Sequence, residues 1–302
     1  MILRRPTDTL ITGFAPTTKL RVAFADVTET AHAISDFHGC SVASECALAQ
    51  TLAASALLAA PLARPGESVA LRLDVPGPVR GAYAECTSTG HLRGYVCRKA
   101  LPDSGDDLGN NPAAAEQALF GDAMRVKTYW SRPGGLPDMK SSFRIAPASF
   151  RRLVETYFLG NFHLPTWARI GLRLDSAGAE RAMALMLQCM PGGDLHGFVD
   201  RESTFSDDEK MDSFFDDPVL EAASGLLDLH DLAIERVTPL SVRCDCSREQ
   251  SLAILATQPA ETLQAAAQSD GTQVVTCQFC GTSYEFQPED IRRLLRPRGP
   301  TH

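Results

Sequence analysis

Four cysteines near the C-terminal end constrain this chain more than any other feature. Cys244 and Cys246 are one residue apart, Cys277 and Cys280 two apart, and 30 residues separate the two pairs. Close thiol pairs at the ends of a short insert can converge into the tetrahedral sulfur shell that zinc prefers. Residues 241–302 carry too little apolar content to fold unaided, so a staple is expected there. In Cys277-Gln-Phe-Cys280-Gly281 the glycine permits the turn of a zinc knuckle, whose backbone amides can point at sulfur. The Cys-x-Cys half departs from the Cys-x-x-Cys of an inert zinc ribbon, which hints at more than static structure.

Other readings of these cysteines stay open at this level. Cys277-Gln-Phe-Cys280 has the spacing of a dithiol redox motif, but that motif opens a helix, whereas Gly281-Thr-Ser-Tyr-Glu-Phe286 has a strand pattern. A nucleic-acid ribbon would need positive charge. Between residues 243 and 286 Arg243 and Arg248 stand against Asp245, Glu249, Glu261, Asp270 and Glu285, and a tetrathiolate zinc centre would add about two further negative charges. The basic residues Arg292, Arg293, Arg296 and Arg298 follow Glu289 and Asp290 and read as complements to a helix dipole. Cys40, Cys46, Cys86, Cys97 and Cys189 lack ligand spacing and read mostly as buried filler in the expected helix and strands of the first domain. No Gly-rich phosphate loop or G-x-S-x-G element is present, so no catalytic site and no enzyme is predicted.

The rest of the chain predicts an α+β fold. A long packing helix is expected from Ser41 toward Ala63. Alternating strands follow between residues 68 and 97, then a helix at 112–120, strands near 124–131 and 141–146, a helix at 149–160, and strands near 167–175 and 181–190. Helices are expected again at 248–256, 260–268 and 288–295. The predicted division is a core domain of mixed or antiparallel sheet with packing helices at 1–190, an acidic helical linker at 191–240 and a small zinc domain at 241–302. The linker holds 13 acidic residues against three basic ones, more than the whole net charge of −8. Its apolar residues, Phe214 and Phe215 among them, recur at helical spacing, so it could lie as amphipathic helices on another surface; a solvated tether is the competing reading. With that charge the chain has no field to gather nucleic acid or anionic lipid. No apolar run reaches the roughly 18 residues of a membrane span, and no signal-peptide pattern opens the chain, so a cytoplasmic protein is expected.

At Val242-Arg-Cys244-Asp-Cys246-Ser-Arg-Glu249 and Cys277-Gln-Phe-Cys280-Gly-Thr-Ser-Tyr-Glu-Phe286 the chain closely resembles the redox-regulated holdase chaperones of the thirty-three-kilodalton heat-shock family. Leu153-Val-Glu-Thr-Tyr-Phe158, Leu164-Pro-Thr166 and Met186-Leu-Gln-Cys-Met-Pro191 look like passages of that family's first domain, and the resemblance spans nearly the whole chain. It implies one Zn2+ per chain on Cys244, Cys246, Cys277 and Cys280, and inactivity while reduced. It further implies a helical linker folded over a hydrophobic binding surface. On such a linker Phe214 and Phe215 are the obvious levers, since an aromatic side chain contributes strongly by burial. Oxidation would form Cys244–Cys246 and Cys277–Cys280 disulfides, release zinc, unfold the C-terminal part and let unfolding client proteins be captured without ATP, with homodimerisation of the oxidised form as an option. The five further cysteines lie outside the family's four-cysteine pattern. A zinc-stabilised interaction module with no switch is the reading from another class.

Overall fold

The computed structural model describes residues 8–102, 112–134, 137–175, 178–218, 220–269 and 271–295; Asp270, Arg296 and Arg298, named above, lie outside them. The chain forms two compact units, Met1–Arg243 and Cys244–His302.

In the first unit, a central helix α2 (Val42–Leu58) is buried on every side. It is so rich in alanine that neighbouring backbones can approach all round it, which suits a core helix without a polar face. Against one side lies a five-stranded antiparallel sheet in the order β10-β1-β2-β9-β8. Its strands are β1 (Thr9–Ala15), β2 (Leu20–Asp26), β8 (Thr166–Asp175), β9 (Gly178–Cys189) and β10 (Ala233–Pro239). Against the other lies a six-stranded sheet, β11-β5-β4-β3-β6-β7. It comprises β3 (Ser68–Asp74), β4 (Gly81–Thr87), β5 (His91–Val96), β6 (Met124–Ser131), β7 (Met139–Ile145) and the two-residue β11 (Ser241–Val242), which alone pairs in parallel. Helices α1 (Thr28–His38), α3 (Pro112–Phe120) and α4 (Phe150–Phe162) complete this core. The buried Asp8 carboxylate accepts the backbone N–H groups of Glu29 and Thr30 at the start of α1.

The predicted strands and helices from 42 to 189 are found close to their expected limits, except that the helix expected to run toward Ala63 ends at Leu58 and gives way to a turn before Pro61. The pairing of β1 with β2 and the helix α1 had no counterpart in the sequence reading. Both faces of β1 and β2 are covered, so their apolar residues run together instead of alternating.

The alternation of β9 divides its side chains between two cores. Ala182, Ala184 and Met186 face α2, while Met183, Leu185, Leu187 and Cys189 face the opposite way. That outer face is covered by the acidic segment, folded as α5 (Leu195–Asp200), α6 (Glu202–Ser206), α7 (Asp208–Asp216) and α8 (Leu220–Leu226). Phe198, Phe205, Met211, Phe214 and Phe215 are all buried against the sheet. The segment is therefore packed and not a solvated tether, and it belongs to the first unit. Helix does not continue to residue 240, because residues 233–239 form β10 and satisfy the free edge of β1.

The second unit contains α9 (Arg248–Leu255), α10 (Ala260–Gln268), the hairpin β12 (Gln273–Thr276) with β13 (Ser283–Phe286), and α11 (Pro288–Leu295). Ser247 caps α9 by accepting the Gln250 N–H. Among the described residues the unit's apolar cluster has only Leu263, Ala267 and Ile291 fully buried. Arg248 lies over the Phe286 ring, 4.6 Å from its centroid, and binds Asp290 at 2.7 Å.

Candidate metal centre

The strand β12 ends one residue before Cys277, and the chain reverses through Cys277-Gln-Phe-Cys280-Gly281 into β13. Gly281 has φ +71°, the left-handed conformation the knuckle requires. Its N–H donates to the Cys277 carbonyl at 3.0 Å, the Cys277 N–H donates to Thr282 O at 2.9 Å, and the Phe279 N–H points at Cys277 Sγ at 3.4 Å. Cys244 and Cys246 arrive on extended chain just before α9. The two motifs meet. The sulfurs of Cys244, Cys246, Cys277 and Cys280 all lie within 4.8 Å of one another. Cys244 is 3.6 Å from Cys277 and Cys246 is 3.4 Å from Cys280.

A tetrahedral zinc with Zn–S bonds near 2.3 Å has sulfur–sulfur edges of about 3.8 Å, so the donor set fits that ion in number, softness and size. Among the described residues it is the one cluster of His, Cys, Asp and Glu with ligand atoms gathered closely enough to hold a metal. The thiols differ in acidity. Burial, with hydrogen bonds shared among the cysteines, pushes Cys244 up to about 12. For Cys280 burial acts upward too, but hydrogen bonds to Thr282, Cys246 and Cys244 bring it down to about 7. A cluster in which hydrogen bonds make one thiol more acidic is suited to bind a soft or borderline cation, and equally to react with an oxidant. Because β13, and not a helix, follows Cys280, the arrangement of a dithiol oxidoreductase is absent from this knuckle.

Sequence reasoning missed Tyr284. Its hydroxyl lies 3.2 Å from Cys246 Sγ and donates to the Cys246 carbonyl at 3.0 Å, tying the hairpin to the other cysteine motif. The only signal was its position four residues after Cys280, on β13. Groups that orient ligands in this way contribute strongly to metal affinity. Tyr284→Phe is expected to weaken zinc binding by the reduced protein about tenfold, measured by competition with a chromophoric chelator. Unchanged affinity would remove Tyr284 from the site.

The remaining predicted residues are elsewhere. Cys46, Cys86 and Cys189 are buried in the first unit, as filler should be, and burial pushes Cys46 and Cys86 up to about 12. Cys40 and Cys97 depart from that expectation. Cys40 lies half-buried in the turn between α1 and α2, and Cys97 is exposed just past the end of β5. Phe214 and Phe215 lie on the outer face of the five-stranded sheet. Phe214 meets Phe24 edge-on at 5.9 Å, and Phe215 lies against Gly171, where a Cβ would come within 2.3 Å of the ring. Among the described residues no helix is long and apolar enough to cross a membrane.

Comparison with known proteins agrees with the fold. The 33 kDa chaperonin of Thermus thermophilus is 28% identical over 301 residues, spanning 95% of this chain and 86% of its own. That of Clostridium novyi is 23% identical, over 96% of this chain and 98% of its own. The crystal structure of the 33 kDa chaperonin (heat shock protein 33 homolog) from Thermotoga maritima superposes with a TM-score of 0.81 at 20% identity, over 96% of this chain and 98% of that one, and so shares the fold. The family model described as Hsp33 protein matches residues 8–287, and the chain belongs to the Hsp33 chaperone family.

Proposed function

We propose that the protein is a redox-regulated, ATP-independent holdase, inactive while its thiols are reduced and metal-bound and active once they are oxidised. The observation that supports this most is the convergence of four cysteines on a unit whose apolar core is too small to sustain it. Cys244, Cys246, Cys277 and Cys280 would hold one Zn2+. Bound zinc supplies cross-links whose binding free energy is folding free energy. Oxidation removes the donors. Each thiolate pair gives two electrons to an oxidant such as peroxide, one S–S bond forms, and with two protons from solvent the peroxide leaves as two waters.

Our assignment of the disulfides is Cys244–Cys246 and Cys277–Cys280. In the assembled site sulfur contacts of 3.6 Å and 3.4 Å cross between the motifs, so this pairing is set after the site opens. Sulfurs one or two residues apart then have a far higher effective concentration for each other than sulfurs about 30 residues apart. In this reading residues 1–190 are the chaperone core, 191–240 its cover, anchored by Phe214 and Phe215, and 241–302 the switch. The partners are unfolding client proteins in the cytoplasm, with neither nucleic acid nor membrane, and the oxidised form is a homodimer. No catalysis is involved.

The test is to treat the reduced, zinc-loaded protein with peroxide at mild heat, follow zinc with an indicator and client aggregation by light scattering, and map disulfides by peptide mass. Expected are about one zinc released per chain, both local disulfides, and suppression of aggregation reversed by thiol reductant. Zinc release without suppression would leave a zinc-stabilised module with no switch. A dominant Cys246–Cys277 bond would refute the pairing.

A further inference from the structure

The outer face of the five-stranded sheet is not purely apolar. Ala168, Ile170 and Leu172 of β8 face the α2 core, so the alternate residues Trp167, Arg169, Gly171 and Arg173 face the acidic helices. β9 adds Arg181. In the antiparallel register Arg173 stands directly opposite Arg181, and like charges so placed destabilise a sheet. Asp216 reconciles them. Its Oδ1 lies 2.6 Å from one Arg173 nitrogen and 3.3 Å from one of Arg181, which also donates to the carbonyls of Phe215 at 2.9 Å and Asp216 at 2.5 Å. Arg169 pairs with Asp208 at the other end of α7. One residue before Asp216, the Phe215 ring fills the notch that Gly171 leaves open.

A notch for an aromatic ring thus adjoins two facing guanidiniums, and α7 satisfies both with the dipeptide Phe215-Asp216. If α7 leaves, Asp216 leaves with it, the arginines face each other beside apolar surface without the carboxylate that joins them, and a basic segment docking there would add repulsion. Resting on the holdase reading above, we propose that the uncovered face selects client segments in which an aromatic residue is followed by a carboxylate. α7 is the chain's own stand-in for such a segment.

The probe is a fluorescent peptide of residues 207–217, with and without Asp216→Asn, titrated by anisotropy against the oxidised full-length protein at low salt. The neutralised peptide should bind about tenfold more weakly, the factor one charge-assisted hydrogen bond carries. With Arg173→Gln/Arg181→Gln the two peptides should bind alike, at the weaker affinity. Arg173 is 46% exposed, so Arg173→Gln alone serves if the double variant does not fold, and it should reduce the preference. Equal binding of both peptides to the unaltered protein, a preference that survives the substitutions, or no peptide binding by a protein that still holds client would overturn the inference and leave the holdase reading intact. An oxidised protein that holds no client at all would take both down.

Discussion

Phe214→Asp combined with Phe215→Asp is expected to give a reduced, zinc-loaded protein that already binds a hydrophobic dye and suppresses client aggregation. Both rings are buried in the outer core, at 4% and 5% exposure, one against Phe24 and the other against Gly171. Truncating a buried phenylalanine costs about 3 to 5 kcal/mol, and a carboxylate in its place adds the cost of burying a charge. The segment has little to set against this. Its helices are short, and α7 carries Asp208, Glu209, Asp212 and Asp216 against Lys210 alone. The remaining anchors are Phe198, stacked on Trp167 at 5.3 Å, with Phe205, Met211, Ala223, Leu227 and Leu229, and the ion pairs of Asp208 and Asp216. The α2 core uses none of these side chains, so the first unit should stay folded while the outer face opens. Hydrogen exchange over residues 195–226 should rise by several orders of magnitude, with β9 still protected by its pairing with β2 and β8. If zinc is retained and neither dye binding nor client holding increases, the acidic segment is not the cover, and activation must begin elsewhere.

Stripping metal from the reduced protein with a strong chelator and a thiol reductant should unfold residues 244–295 and leave the first unit intact. Structural zinc on cysteines contributes on the order of 10 kcal/mol or more to the fold it closes. In this unit Leu263, Ala267, Ile291 and Phe286 are what remains of a buried apolar interior. The exposed ion pair of Arg292 with Glu289 and the long, 3.7 Å contact of Arg293 with Asp290 contribute little in water. Limited proteolysis should cut between Cys246 and Cys277 within minutes of chelation and not before it, and amide protection in α10 and α11 should be lost. Protection unchanged after complete metal removal would mean that the helices hold themselves, and oxidation could not act through unfolding of this unit.

Much of this was legible along the chain. Thiol spacing is local information. A Cys-x-Cys and a Cys-x-x-Cys on either side of a weakly apolar stretch point to a metal staple whatever the sheet order, and the structure brings those four sulfurs together. The long apolar run of α2 and the alternation of β3 to β8 were equally readable, because each is carried by the element's own residues, whereas the spacing in the acidic segment admitted helices or a tether. What tertiary structure decided is whatever depends on a partner far away in sequence. Residues 233–239 became a strand because β1 offered an open edge more than 200 residues earlier. β1 and β2 escaped notice because two covered faces erase the alternation that marks a strand. Arg173 meets Arg181 only through the β8–β9 register, and Asp216 and Phe215 meet them only because α7 folds back on that face. Tyr284 reaches Cys246 across 38 residues because the hairpin turns it there. Composition and periodicity determine which faces are apolar and which thiols are paired, since these are properties of neighbours. Pairing across long loops is settled by the balance of closure entropy against burial over the whole fold, which no local window contains.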